Sequence, residues 1–316
     1  MHNKNLCLPY AGGKAYLADS IVRLLPKTDL YIEPFAGGAK VFFAKEPTKI
    51  EVLNDVDEDL ITLYRVLQDT KKRSELLKRL KFTLYEEKKH IELKRIYTEN
   101  NNSFNCLDEV ERAHSYFYLL MSSFKQKIGS GFGYSKARSF ASKFTRKLKT
   151  IVYCGIRLKN AIIHCRNAMQ IFDMYDTEDA VWYLDPPYLG NIRCSNIYTH
   201  EFSDEKEHID LLERIKKLKG YVILSGYPSE LYNSYLDNWF QIKKNITLTV
   251  RSKTKEGLKR FSGSPRIEVL WLNEKAQKAN KTLDFGKENN IINDISADNG
   301  VLGDNERYVA EVETSV

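Results

Sequence analysis

Asp185-Pro186-Pro187-Tyr188 follows directly on the apolar run Val181-Trp182-Tyr183-Leu184. Those residue types could grip a flat base by its exocyclic amino group. The Asp185 carboxylate accepts one N–H, the Pro186 carbonyl accepts the other, and the Tyr188 ring stacks on the base face. Such work needs a rigid support. A short buried strand stopped by two prolines supplies one at its carboxyl edge, where open α/β sheets bind their ligands. Proline pairs also end strands for purely structural reasons, so the tetrad alone does not separate a site from a turn.

A second constellation lies near the N-terminus. Leu30-Tyr31-Ile32-Glu33-Pro34 reads as a strand, and Phe35-Ala36-Gly37-Gly38-Ala39 turns from it into a helical stretch, Val41 to Phe43. Paired glycines at such a turn let backbone approach a bound nucleotide. Glu33 and the helix N-terminus favour opposite charges, which suits a zwitterionic ligand better than a phosphate. The strand Ile50 to Leu53 then ends in Asn54-Asp55, with Asp55 placed 17 residues after Gly38. An acid at about that distance grips a ribose hydroxyl pair in dinucleotide folds. The glycines do not spell the spaced dinucleotide fingerprint, and no phosphate-loop lysine follows them. A nucleoside without phosphates therefore fits better than NAD or ATP. Upstream, Pro9-Tyr10-Ala11-Gly12-Gly13-Lys14 precedes an amphipathic helix through Tyr16, Leu17, Ile21, Leu24 and Leu25. Taken alone, that segment reads as a loop with a solvated lysine.

Charge marks out a different region. The chain of 316 residues carries a net charge of +7, yet from Arg112 to Phe172 it has no aspartate or glutamate. That span holds Arg112, Lys125, Lys127, Lys136, Arg138, Lys143, Arg146, Lys147, Lys149, Arg157, Lys159 and Arg166. Phe124, Phe132, Tyr134, Phe140 and Phe144 are interleaved, and Gly129, Gly131 and Gly133 loosen the middle. A basic, aromatic, glycine-bearing loop suits a phosphate backbone and can adapt to base edges. Lys125, Lys127, Lys136 and Arg138 are the expected contacts. A solvated basic face is the plainer alternative.

The remaining composition narrows the class. No run of about 18 apolar residues offers a membrane span, and no secretory leader pattern is visible. Five scattered cysteines (Cys7, Cys106, Cys154, Cys165 and Cys194) form neither a disulfide framework nor a zinc site, which predicts a reduced, intracellular protein. The six histidines lack helical i, i+4 pairing, so no catalytic metal is expected.

Four motifs in this order resemble the Dam-like family of DNA adenine-N6 methyltransferases. They are Tyr10-Ala11-Gly12-Gly13-Lys14, Glu33-Pro34-Phe35-Ala36-Gly37-Gly38, Asn54-Asp55 and Asp185-Pro186-Pro187-Tyr188. Glu268-Val269-Leu270-Trp271-Leu272-Asn273 also looks like the family's closing strand. The resemblance spans about residues 5 to 273. It implies an α/β fold: a Rossmann-like S-adenosylmethionine-dependent methyltransferase sheet with an inserted helical target-recognition domain. It further implies S-adenosylmethionine against the glycine turn, held by Tyr10, Lys14, Glu33, Phe35, Gly37 and Asp55, with Asp185 where cofactor and target base meet. Asp185, Pro186, Pro187 and Tyr188 carry the chemistry, without a metal.

Two departures stand out. Relatives usually carry an acid where Asn167 stands; its family role is contact with the adenine amino group of the cofactor, which an amide oxygen can also accept. Ser122-Ser123-Phe124-Lys125 replaces a common Ser-Phe-Asn-Gly run, which bears on the target sequence. The implied partner is double-stranded DNA, with a cognate restriction endonuclease as an open second, in the cytoplasm of a bacterium or encoded by a phage. Cytosine-N4 methylation shares the amino-group geometry, RNA adenine methylation uses similar tetrads, and a catalytically silent DNA-binding protein is the alternative from another class.

These expectations divide the chain. Residues 1–70 and 151–273 form the catalytic, cofactor-binding domain. Residues 71–150 form the helical insert with its basic loop, using Leu76, Leu77 and Leu80, then Ile91, Leu93 and Ile96, and a buried helix from Ala113 to Met121. Gln241 to Val250 pairs with Ile267 to Leu272, leaving Arg251 to Arg266 as a basic connector that can touch DNA. Ser225-Gly226-Tyr227 is read as a strand-ending turn, and 274–316 as a polar tail without fixed packing.

Overall fold

A computed structural model of the chain describes residues 8, 10, 17–135, 139–189, 205–246, 249–254, 257–262 and 266–280. Lys14, Lys136 and Arg138 lie outside the described residues, as does the Lys125 side chain. Strand Ala180–Leu184 (β4) is buried at all five positions. An all-apolar strand belongs in the middle of a sheet covered on both faces, and β4 sits there. It lies parallel between Leu30–Glu33 (β1) and Tyr221–Gly226 (β5). Ile50–Asn54 (β2) and Ile162–His164 (β3) extend the parallel sheet beyond β1. On the other side Arg266–Leu272 (β9) runs antiparallel to both β5 and Phe240–Ile246 (β6). The sheet order is β3-β2-β1-β4-β5-β9-β6.

Successive strand residues point to opposite faces, and this alternation divides the core in two. Tyr31, Leu53, Val181, Tyr183 and Ile223 enter one half. There they meet helices Ala18–Leu24 (α1), Lys40–Ala44 (α2), Glu58–Gln68 (α3), Thr70–Phe82 (α4), Glu87–Glu99 (α5), Glu109–Ser122 (α6) and Phe140–Leu158 (α7). Ile32, Val52, Trp182, Leu184, Val222 and Trp271 enter the other, beneath Ala168–Tyr175 (α8), Glu205–Ile215 (α9) and Glu230–Tyr235 (α10).

Helices α4 to α7 supply the expected helical segment and share one continuous core with the sheet. The division at 150 and 151 falls inside α7. Helix α6 is buried from Ala113 to Ser122. Helix α5 departs from expectation: His90, Leu93 and Tyr97 face inward, while Ile91 is 59% exposed. The His90 ring sets that phase by hydrogen bonding to Ser122 Oγ at 2.9 Å and Ser130 O at 3.2 Å.

Two further expectations need correction. Strands β6 and β9 do pair, but the connector between them is itself an antiparallel hairpin, Thr249–Thr254 (β7) with Gly257–Ser262 (β8). The segment after Asn273 also begins in order. Asn273 caps Glu274–Ala279 (α11) by accepting from Ala276 N at 2.9 Å. Asn280 then donates to Leu24 O at 2.9 Å, which ties the segment to α1. Its amide is the reason the polar composition misled: buried Asn pairs with backbone rather than with water. The rest of the tail lies outside the described residues.

Candidate active site

The strand order reverses between β1 and β4, because β2 and β3 lie to one side and β5 to the other. A crevice opens at such a point beyond the carboxyl ends. Glu33 ends β1 and Asp185 follows β4, so two carboxyl groups flank it. Glu33 is 1% exposed. Its Oε1 accepts from the Tyr31 hydroxyl at 2.6 Å and from Phe42 N, in the first turn of α2, at 2.8 Å. Burial nevertheless pushes its pKa up to about 7; those two donors and Lys45 oppose the shift, and Asp185 adds to it. A buried carboxylate of this kind favours a cationic neighbour.

The glycine turn is built around three contacts. Gly37 has φ of +46°, a conformation that disfavours a side chain. Its N–H donates to Asp55 Oδ2 at 2.8 Å, and its carbonyl accepts from the Tyr64 hydroxyl of α3. Tyr10 lies against it: a Cβ on Gly38 would come within 2.9 Å of Tyr10 Cβ, and one on Gly37 within 3.3 Å of Tyr10 Cε1. Tyr10, Gly37 and Asp55 are thus brought together. Asp55 also accepts from Asp57 N at 3.1 Å through Oδ1, so it braces the turn.

Asn54 holds the neighbouring strand ends in line. Its side chain, fully buried, donates to Pro34 O and Arg166 O at 2.9 Å each and accepts from Arg166 N at 2.9 Å. Phe35 is half-buried against the α8 side of the sheet, as is Met169. Asn167 is exposed and caps α8, with Oδ1 accepting from Met169 N at 2.9 Å. One lone pair of the oxygen expected to face the cofactor is therefore already committed.

Around the tetrad, β5 is not a bare turn. Ser225 Oγ lies 3.2 Å from Asp185 Oδ1 and 3.1 Å from the Tyr183 hydroxyl. Ser225 Oγ also lies 3.3 Å from Leu184 O, so the hydroxyl bridges the end of β4 and holds one carboxylate oxygen of Asp185 from β5. Pro186 is buried and Tyr188 half-buried. The Tyr188 hydroxyl donates to Glu268 Oε1 at 2.8 Å, and its ring packs on Tyr227 with centroids 4.6 Å apart. Ser225, Tyr227 and Glu268 went unselected in the sequence. Glu268 carried a signal, as a lone acid inside the strand Ile267-Glu268-Val269-Leu270-Trp271.

Helix α6 also reaches this site. Tyr116 donates to Asp57 Oδ2 at 2.7 Å. Burial, then Asp55 nearby, pushes the Asp57 pKa up to about 6, against the lowering effect of that hydrogen bond. Not every basic residue of the acid-free span faces outward. Arg112 is paired with Asp59 at 2.5 Å and Glu58 at 3.2 Å. Arg157 is paired with Glu51 at 2.5 Å beside the Lys45–Glu51 pair. Lys127, in the glycine-bearing loop, is half-buried. No group of three or more His, Cys, Asp or Glu among the described residues could hold a metal ion.

The family model for D12 class N6 adenine-specific DNA methyltransferases matches residues 10–253, from Tyr10 through the tetrad to β7. The chain belongs to this family. It is an adenine-specific DNA methyltransferase, and the seven-stranded sheet is the S-adenosylmethionine-dependent methyltransferase fold that membership implies. It is 28% identical over 258 residues to the type II methyltransferase M.MjaIII of Methanocaldococcus jannaschii, covering 74% of this chain and 85% of that one. It is 25% identical over 263 residues to the DNA adenine methylase of Salmonella typhi (79% and 89%). The type II methyltransferase M.CviBI of Paramecium bursaria Chlorella virus NC1A is 27% identical over 252 residues (76% and 90%). An adenine DNA methyltransferase of this class uses S-adenosylmethionine as methyl donor and DNA as substrate. No helix among the described residues is long and apolar enough to cross a membrane.

Proposed function

We propose that this methyltransferase extrudes one adenine of double-stranded DNA into the crevice between β1 and β4 and methylates it at N6. The observation that carries the reading is the position of Asp185 at the switch point, with one oxygen held by Ser225. An adenine within a duplex keeps N6 in the stack, so it must leave the helix to reach a buried group. Tyr188 then stacks on the base, and Asp185 and the Pro186 carbonyl accept its two amino hydrogens. Those hydrogen bonds draw N6 toward tetrahedral geometry and aim its lone pair away from the ring. The proton shed by N6 leaves along the hydrogen bond to Asp185. Pro187 stiffens the tetrad.

The residues present fit S-adenosylmethionine. Buried Glu33 suits its cationic part, Asp55 its ribose hydroxyls, and Tyr10 and Phe35 its flat or apolar surfaces, with Gly37 allowing close approach. Lys14 and Asn167 complete the proposed set. When bound, the sulfonium supplies a methyl group activated for in-line displacement, and the chain's task is alignment.

Residues 71–150 are proposed as the target-recognition unit, with Lys125, Lys127, Lys136 and Arg138 on phosphates. A cognate restriction endonuclease is kept as a proposed second partner, beside relatives named type II methyltransferase and relatives named DNA adenine methylase. A DNA substrate and cysteines outside any disulfide at Cys106, Cys154 and Cys165 support a cytoplasmic setting, bacterial or phage-encoded. Methyl transfer from labelled S-adenosylmethionine to unmethylated DNA and to structured RNA, with product nucleosides identified by mass spectrometry, tests the substrate. N6-methyladenine in duplex DNA is the expected product. N4-methylcytosine, or label confined to RNA, would overturn this reading.

A further inference from the structure

Strand β9 contributes a carboxylate that the tetrad does not announce. Glu268 is 1% exposed, deep enough that a hydrogen-bond partner is needed to keep a carboxylate there. The Tyr188 hydroxyl, 80 residues away in the chain, donates to its Oε1 at 2.8 Å. The Tyr188 ring is held a second time by Tyr227, at a centroid distance of 4.6 Å and an interplanar angle of 43°. Gly226 makes room for this arrangement. A Cβ there would lie 3.3 Å from the Trp271 ring and 3.8 Å from Tyr188 Cε1. The ring is therefore anchored at its tip by β9 and packed against Tyr227, just past the end of β5, before any base arrives.

We propose that Glu268 and Tyr227 are positioning residues that hold Tyr188 as a preformed stacking surface for the extruded adenine. The inference rests on the reading of Tyr188 as the residue that stacks on the base. An unanchored tyrosine would have to be ordered each time a base entered, and immobilising one rotamer-rich side chain on binding costs roughly two- to tenfold in affinity. Anchoring removes that cost and fixes the ring plane relative to Asp185, where alignment matters most.

Single-turnover methyl transfer to unmethylated duplex DNA, measured beside equilibrium binding of S-adenosylmethionine and thermal unfolding, tests this. Glu268→Ala is expected to slow transfer roughly tenfold with cofactor affinity unchanged. Tyr188→Phe removes the same hydrogen bond from its other end, so it should give a similar loss, and the double variant should lose no more than either alone. Glu268→Gln, which keeps a carbonyl acceptor, should recover most of the rate. Additive losses accompanied by weaker cofactor binding would mean that Glu268 merely supports the fold, and would overturn the proposal. Full transfer by both Glu268→Ala and Tyr188→Phe, with Tyr188→Ala crippled, would overturn this inference alone. Full transfer by Tyr188→Ala would overturn the stacking reading and the inference together.

Discussion

Replacing Glu33 with glutamine should stabilise the ligand-free protein, and by more as the pH rises. Burial at 1% exposure lifts the Glu33 pKa to about 7, against an ordinary value of 4.5. The folded state therefore keeps a proton that the unfolded chain releases. Stability from this group is fully present below the unfolded value and falls as pH climbs through the folded one. The gap between the folded and unfolded values makes the ionised group cost a few kcal/mol, of order 3, once pH exceeds 7. Glutamine presents an oxygen to the Tyr31 hydroxyl and the Phe42 amide but never ionises. Urea unfolding of both proteins at pH 5, 6, 7 and 8 isolates the effect, because other titrating groups cancel in the difference. The advantage of Glu33→Gln should grow by roughly 2–3 kcal/mol between pH 5 and pH 8. A difference that stays flat across this range would refute the argument that Glu33 is held protonated by burial. The same substitution should weaken S-adenosylmethionine binding about tenfold or more at pH 7.5, since a neutral amide no longer meets the cation. Stability gained with affinity lost would mark Glu33 as a strained binding group.

Other substitutions probe neighbouring parts of the site. Gly38→Ala places a methyl 2.9 Å from Tyr10 Cβ; Tyr10 should be displaced and cofactor affinity should fall about tenfold in calorimetry, a loss of order 1.4 kcal/mol. Tyr116→Phe removes the 2.7 Å hydrogen bond to buried Asp57 and should cost about 1–3 kcal/mol in denaturant unfolding at pH 8. That cost should shrink toward pH 5, where Asp57, with its pKa raised to about 6, is protonated in the folded state. Lys127→Ala should lower the salt dependence of DNA binding, reducing the slope of log K against log salt by about 0.9 if Lys127 meets one phosphate.

How far the sequence revealed this site depends on where its parts lie. The tetrad and the glycine turn were readable because each is a run of adjacent residues whose types limit what they can do. Asp55 was readable because the distance from strand to strand in a βαβ unit is nearly constant. Ser225, Tyr227 and Glu268 were not, because they meet Asp185 and Tyr188 only through the register of β4 with β5 and of β5 with β9. Asn54 was noticed as part of a motif, yet its work of joining Pro34 to Arg166 depends on a partner 112 residues away. Arg112 and Arg157 show the opposite error. Counted by charge they belong to a basic stretch, but buried acids on α3 and β2 claim them. Charge runs report composition, and only packing says which members face a phosphate.

The proposed role of Asp185 is to orient the target amino group where cofactor and base meet, while Glu33, Asp55 and the glycine turn supply most of the cofactor's binding. Methyl transfer to duplex adenine should therefore be measured under single turnover for Asp185→Ala and Asp185→Asn, with S-adenosylmethionine affinity determined on the same preparations. Transfer should fall at least about a thousandfold, roughly 4 kcal/mol in the barrier, with the cofactor still bound. Transfer by Asp185→Ala at a rate near that of the unaltered protein would contradict that role.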